Sequence, residues 1–154
     1  METQYDVDYV VMRLAEVMLN YAETANETGD INTAIDILTQ IRKRAGIEAG
    51  LDGKYGITAA SREDIREAIL LERSIEFCFE GHRFWDLRRW RKAHITLNGI
   101  RVTGHKIEPN GTGFTYQVVP ADNLDRSFSS RLYYLPIPEG EIQVNLALTQ
   151  IKGW

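Results

Sequence analysis

The sequence predicts a mainly α-helical fold: a helical hairpin, further buried helices, then an irregular region with short strands. Three observations carry this. Apolar residues recur at three- and four-residue steps over most of the chain up to about residue 92. Glycines stand where those steps break off. Beyond residue 92, Gly, Pro and β-branched residues take over.

The first helix is expected from Tyr9 to Thr28, with Val10, Leu14, Val17, Met18, Tyr21, Ala22 and Ala25 as its apolar positions. Gly29 ends it, since glycine adopts the left-handed conformation a helix stop requires. Asp30 caps a second helix over Ile31 to Ala45, with Ala34, Ile35, Leu38 and Ile41 on one stripe and Gly46 as the stop. So short a turn makes the two helices pack antiparallel. Ala22, the Gly29-Asp30 turn, Ala34 and Leu38 follow the spacing of a tetratricopeptide-like hairpin, in which small residues let the helices approach closely. A generic helical hairpin is the other reading of these residues. Residues 47–60, with Gly50, Gly53 and Gly56, read as a long flexible loop.

A third helix starts at Ser61, which stands three residues before Asp64 as in a capping box. Ile65, Ala68, Ile69, Leu70, Leu71, Ile75, Phe77, Cys78 and Phe79 run nearly all round its axis, which predicts burial on most sides. Gly81 interrupts, and Arg83 to Arg91 reads as a further helical stretch. Strands are expected at Ile100 to Ile107, Thr115 to Val119 and Leu132 to Leu135, the last ended by Pro136 and Pro138. Residues 137–142 read as a turn entering one helical turn. The tail from Asn145 to Trp154 has too few polar residues to fray and is expected to dock. The divisions are therefore 9–46, 61–92 and 93–154.

Composition narrows the class. With 154 residues, 44% hydrophobic and 26% charged, the chain is globular rather than disordered. A net charge of -4 argues against nucleic acid as the main partner, because phosphate binding wants a basic surface. No apolar run approaches the roughly 20 residues of a membrane-spanning helix, so a soluble chain is expected. Met1-Glu2-Thr3-Gln4 has neither the basic nor the apolar region of a signal peptide. The single Cys78 excludes an internal disulfide framework and reads as a small core residue.

Candidate chemistry concentrates between Glu72 and Trp90. Glu72, Glu76 and Glu80 step by four and share a helix face with apolar residues, where acids are expensive unless paired. Read as a glycosidase pair, Glu72 and Glu76 fail on geometry: acids four apart on one helix point the same way, whereas cleavage needs them facing across a bond. A structural network is preferred, with Glu72, Glu76, Glu80 and Asp86 on the acidic side and Arg44, Arg83 and Arg89 as the favoured partners. Continuing the helix to residue 83 would put Arg83 on the acids' own face. Losing one member, as in Glu76→Ala, would then cost about 3–5 kcal/mol. The basic run from Arg83 to Lys92 with Trp85 and Trp90 invites a single-stranded nucleic acid reading. Nearby acids favour a salt-bridged face. His82, His94 and His105 show no metal-binding spacing, and no phosphate-binding loop or nucleophile motif is present. No catalytic residue, metal or cofactor is called for.

These segments together resemble the SusD/RagB family. Met12-Arg13-Leu14-Ala15-Glu16 through Tyr21-Ala22-Glu23 looks like the family's R-x-A-E-x-x-L-x-x-A-E helix, and Arg42-Lys43-Arg44-Ala45-Gly46 like its R-x-R-A-G ending. Glu72 to Trp90 matches the long pattern E-R-x-x-E-F-x-x-E-G-x-R-x-x-D-L-x-R-W. Leu135 to Ile142 matches P-I-P-x-x-E-I, and the tail looks like N-P-x-L-x-Q-N-P-G-Y. It departs there: Leu146 replaces Pro, Ile151-Lys152 replaces Asn-Pro and Trp154 replaces Tyr.

The resemblance covers only the family's C-terminal portion and implies more than the residues do. It implies a bacterial outer-membrane lipoprotein, exposed at the cell surface, that binds oligosaccharides or other nutrients. It implies a SusC-like TonB-dependent transporter as partner and no enzymatic activity. The lipid anchor and upstream hairpins would lie outside this chain, and Met1 reads as a fragment start. Self-association through the first helix is then expected. The motif residues read as scaffold. Tyr55, Trp85, Tyr116, Tyr133 and Tyr134 are the candidates for stacking on sugars, with core packing as the competing role. A freestanding helical-repeat interaction module with no nutrient ligand is the alternative function.

Overall fold

The computed structural model describes residues 10–154. They fall into two compact units that meet in sequence at Arg83 and Phe84. The fold is mainly helical, with its long helices before residue 90 and largely irregular structure after residue 96: α1 (Leu14–Thr28), α2 (Ile31–Arg44), α3 (Arg62–Glu76), α4 (His82–Arg89), α5 (Ala93–Thr96) and α6 (Glu139–Val144), with β1 (Thr103–Pro109) and β2 (Phe114–Pro120).

In the first unit α1, α2 and α3 pack mutually around Leu19, Leu38, Ile41, Ile65 and Ile69, all fully buried. The hairpin turn works as its residues require. Gly29 sits at φ 96, its N–H bonding the Asn26 carbonyl, and the Asp30 N–H reaches back to the Ala25 carbonyl. The Asp30 carboxylate then accepts from the Thr33 amide at 3.2 Å to start α2. Ala22 and Ala34 are completely buried, so no larger side chain separates the helices.

Several expectations are corrected. α1 begins at Leu14; Val10 to Arg13 are not helical, and Tyr9 lies outside the described residues. Its buried face is Ala15, Leu19, Ala22, Ala25 and Asn26, while Val10, Leu14, Val17 and Tyr21 are exposed. Two apolar stripes run along this helix, and the one built from small residues faces the bundle. The 47–60 loop is pinned rather than free: Ile57 is buried and Arg42 donates to the Tyr55 carbonyl at 3.1 Å.

The full capping box forms at Ser61 and Asp64. α3 is nevertheless not buried all round. Leu71, Ile75 and Phe79 are exposed, and so is Cys78, which is no core residue. The helix stops at Glu76, because Phe79 and Gly81 take φ 67 and 82, which no right-handed helix can continue.

In the second unit Leu87, Ala93 and Phe128 form a small core with Leu97, Leu132 and Tyr133 against it. β1 and β2 pair antiparallel, with Thr103 opposite Pro120 and Pro109 opposite Phe114. The segment expected as a third strand, Leu132 to Leu135, pairs with no strand among the described residues: Leu132 and Tyr133 end a 3₁₀ turn, Ser130–Tyr133, and Tyr134 and Leu135 are irregular. The tail is held by Gln150, which bonds both the amide and the carbonyl of Ile137, and by the Trp154 indole on the Arg131 carbonyl at 3.1 Å.

Candidate functional site

Two groups of candidate side chains emerge, one in each unit. The first is a layer of arginine–carboxylate pairs. Glu72 is buried on α3 and accepts from Arg42 of α2 at 2.8 Å. Glu76 uses both oxygens, one for Arg13 and one for Arg44. Glu80, exposed, accepts from Arg13 through both oxygens, and these bonds hold its carboxyl below the usual carboxylate range. Arg13 and Arg73 flank the buried Phe77 ring at 4.8 and 5.1 Å. The three acids therefore do meet arginines. Arg44 is among them, but Arg83 is exposed, because the end of α3 at Glu76 removes the helical register that would have aligned it. Arg89 instead pairs with Asp86, three residues back on α4. Arg13 was invisible to a reading that placed it inside a helix.

A shallow cavity of about 440 Å³ adjoins this layer, lined by Val10, Val11, Met12, Arg13, Glu16, Glu80 and His82. Arg13 pairs with Glu80 there, and His82 Nε2 lies 3.9 Å from a Glu16 carboxylate oxygen.

The second group is a cleft of about 400 Å³ in the second unit, lined by Trp85, Arg88, Arg89, Arg91, Tyr133 and Tyr134. Three of the five candidate stacking aromatics converge here. Tyr133 is fixed from three sides. Phe128 packs on it edge-on at 4.8 Å, the His94 amide donates to its hydroxyl at 3.1 Å, and Arg91 lies 4.3 Å over its ring. Arg91 also donates to the Tyr134 hydroxyl at 3.2 Å. Arg88 lies 3.5 Å over the Phe84 ring, against which Trp85 packs edge-on. Trp85 and Tyr134 keep 60% and 54% of their surface exposed, so each can offer a ring to a ligand. The pairing of Arg89 with Asp86 leaves Arg88 and Arg91 as the uncompensated cations, without a carboxylate partner among the described residues.

The other two candidates lie apart. Tyr116 is exposed on β2 beside His105, and Tyr55 is half-buried in the 47–60 loop. Treating the basic run as one salt-bridged face hides Arg88 and Arg91. The available signal was spacing. Asp86 stands three residues from Arg89, whereas no acid stands three or four residues from Arg88 or Arg91. Among the described residues no cluster of three His, Cys, Asp or Glu could hold a metal, and no helix is long and apolar enough to cross a membrane.

Comparison with known proteins agrees with this architecture. The chain belongs to the SusD family, whose family model matches residues 1–154. It is 30% identical over 140 residues to SusD-like protein P2 of Formosa agariphila, covering 90% of this chain and 24% of that protein. It is 30% identical over 142 residues to SusD-like protein P25 of the same organism, covering 92% of this chain and 23% of that one. A solved SusD-like protein from Bacteroides fragilis NCTC 9343 superposes with a TM-score of 0.75 at 34% identity, over 95% of this chain and 26% of that chain. A SusD superfamily protein from Parabacteroides distasonis ATCC 8503 gives 0.62 at 25% identity, over 97% and 28%. The chain thus spans about a quarter of the length of the relatives it matches.

Proposed function

We propose that this chain is the scaffold-forming C-terminal portion of a cell-surface protein that binds oligosaccharides or other nutrients and passes them to a SusC-like TonB-dependent transporter. The observation that carries the reading is membership of the SusD family along the whole chain, residues 1–154. The cleft of Trp85, Tyr133 and Tyr134 adds a physical means, since exposed aromatic faces suit the C–H faces of sugars. In this reading the protein binds and does not cleave, sits at the bacterial outer membrane through a lipid anchor, and needs no cofactor. The Glu72, Glu76 and Glu80 layer serves as scaffold.

The encoding locus tests it. The expected result is an open reading frame extending several hundred residues upstream, with a signal peptide and lipid-bearing cysteine, beside a gene for a TonB-dependent barrel. A frame that starts at Met1 and has no such neighbour would overturn it. That outcome would favour the alternative, a helical-repeat module that binds a protein, for which the exposed apolar stripe of Leu14, Val17 and Tyr21 on α1 speaks.

A further inference from the structure

The geometry points to a narrower ligand class: we infer that the Trp85–Tyr134 cleft takes an acidic sugar, with Arg88 and Arg91 pairing its carboxylate or sulfate while an exposed ring stacks on the pyranose. This deepens the nutrient-binding proposal and rests on it.

Charge is the first argument. The cleft lining contains three arginines, two tyrosines and a tryptophan, and no acid. Asp86 accounts for Arg89. Arg88 and Arg91 are held instead by aromatic faces, 3.5 Å over Phe84 and 4.3 Å over Tyr133. Stacking fixes the plane of a guanidinium but leaves its in-plane N–H groups largely free for an oxyanion. Arg88 gives one of its donors to the Phe84 carbonyl, and Arg91 one to the Tyr134 hydroxyl. A guanidinium has five N–H donors, so each keeps several for a ligand.

Positioning is the second argument. Arg91 holds φ 55, a left-handed conformation that side chains other than glycine and asparagine adopt reluctantly. The Arg91 amide bonds the Arg88 carbonyl at 3.0 Å across the end of α4, so the two arginines stand on one turn. Tyr133, locked by Phe128 and His94, gives Arg91 a fixed floor. Two cations are thus held beside two exposed rings before any ligand arrives, which lowers the ordering cost of binding.

Size is the third. About 400 Å³ lies toward the lower end of the roughly 300–1,000 Å³ range of small-molecule sites. That is room for one or two sugar rings. A nucleic acid needs a basic track along the surface, which a chain of net charge -4 does not favour.

Isothermal titration of the 154-residue chain tests the inference. The probes are tetragalacturonate, a sulfated galactose oligomer, neutral galactotetraose and a single-stranded oligonucleotide. The expected result is at least tenfold tighter binding of an acidic probe than of the neutral one, weakening as salt rises. Whichever of the carboxylated and sulfated probes binds identifies the oxyanion. Arg88→Gln and Arg91→Gln should each reduce acidic-probe affinity about tenfold, the scale of one lost charge-assisted hydrogen bond. Lys106→Gln, which removes a charge from β1 instead, should change nothing. Melting curves establish that the variants fold. Reduction of the ligand's carboxyl groups removes the charge with no change to the protein and should lower affinity equally.

Equal binding of acidic and neutral probes would overturn the inference and leave the nutrient-binding proposal standing. An acidic preference that survives both arginine substitutions would overturn the assignment to this cleft. Tighter binding of the oligonucleotide, lost in the same variants, would replace the sugar as ligand. Failure of every saccharide to bind would overturn the inference, while the encoding locus would still decide the nutrient-binding proposal.

Discussion

Arg13 binds Glu76 twice. One guanidinium nitrogen meets the carboxylate, and another donates to the Glu76 backbone carbonyl at 2.5 Å. Glu76 is the last residue of α3, where carbonyls have no partner further along the helix. Arg13 is the N-cap residue of α1. One side chain therefore joins the start of one helix to the end of another and closes the bundle.

Arg13→Ala should accordingly destabilise the first unit more than an ordinary surface substitution. It strips Glu76, whose side chain is only 9% exposed, of one charge partner and leaves a helix-end carbonyl unsatisfied. The expected loss is about 2–3 kcal/mol, read as a lower midpoint in urea unfolding. Arg13→Lys should restore little, because an ammonium cannot span the Glu76 carboxylate, the Glu76 carbonyl and Glu80 together. Full recovery with lysine would show that charge alone matters there.

The three acids should not be equivalent. Glu72 and Arg42 have side chains 7% and 14% exposed, so Glu72→Ala strands a cation away from water and should cost about 3 kcal/mol or more. Glu76→Ala leaves Arg44, which is 57% exposed and can turn to solvent. Its cost should be smaller, about 1–2 kcal/mol, below the roughly 3–5 kcal/mol expected from the sequence for losing one member of a buried network. Chemical denaturation of both variants under identical conditions checks the order. A larger loss for Glu76→Ala would refute it.

Much of this fold was legible because its signals are local. Gly29, Asp30, Ser61 and Asp64 act within three residues of themselves, and each does what its chemistry dictates. The end of α3 was not legible. Phe77, Cys78 and Phe79 have no helix-breaking chemistry, and Gly81 arrives five residues too late. Choosing between the two apolar stripes of α1 likewise needed the partner helices in view. The ion-pair layer was half legible: acids at four-residue steps announce that they need partners, but Arg13 stands 63 residues away from Glu76. The cleft was legible as aromatics only. That Trp85 and Tyr134 share one cleft depends on the packing of Phe128, Leu132 and Tyr133 on Leu87 and Ala93, which no periodicity encodes.

Acid should loosen the α1–α3 contact at Glu27. Arg66 grips this carboxylate through two bonds of 2.7 Å and Arg62 adds a third, so its pKa falls from 4.5 to about 2. A lowered folded pKa means that the unfolded chain takes up the proton more readily. The stabilisation is complete above 4.5 and is lost as pH falls toward 2. Melting temperatures from pH 6 to 2.5 should fall for the natural chain, and fall less for Glu27→Gln, which has nothing left to titrate. Parallel curves would place the acid sensitivity elsewhere.

Gly29 offers a test of backbone conformation without packing. It holds φ 96, and a Cβ built there would meet nothing within 4 Å. Gly29→Ala should thus cost only the left-handed penalty, about 1–2 kcal/mol. Gly29→Asn should cost less, because asparagine tolerates this region. Thermal melts of the two variants compare them directly, and equal losses would mean that something other than φ governs the turn.

The exposed face of α1 should make the isolated chain associate. Leu14, Val17 and Tyr21 recur at helical spacing and keep 73%, 49% and 59% of their surface exposed, with Val10 and Val11 exposed just before them. A contiguous apolar stripe of this kind gains free energy from any apolar surface that covers it, at roughly 25 cal/mol per Å² removed from water. The buried face of Ala15, Leu19 and Ala22 is separate, so substitutions on the stripe leave the bundle core intact. Size-exclusion chromatography with light scattering should show mass rising with concentration for the natural chain. Leu14→Glu combined with Val17→Glu should return it to a monomer at unchanged helical content. A natural chain that stays monomeric at millimolar concentration would show that this stripe has no affinity for itself.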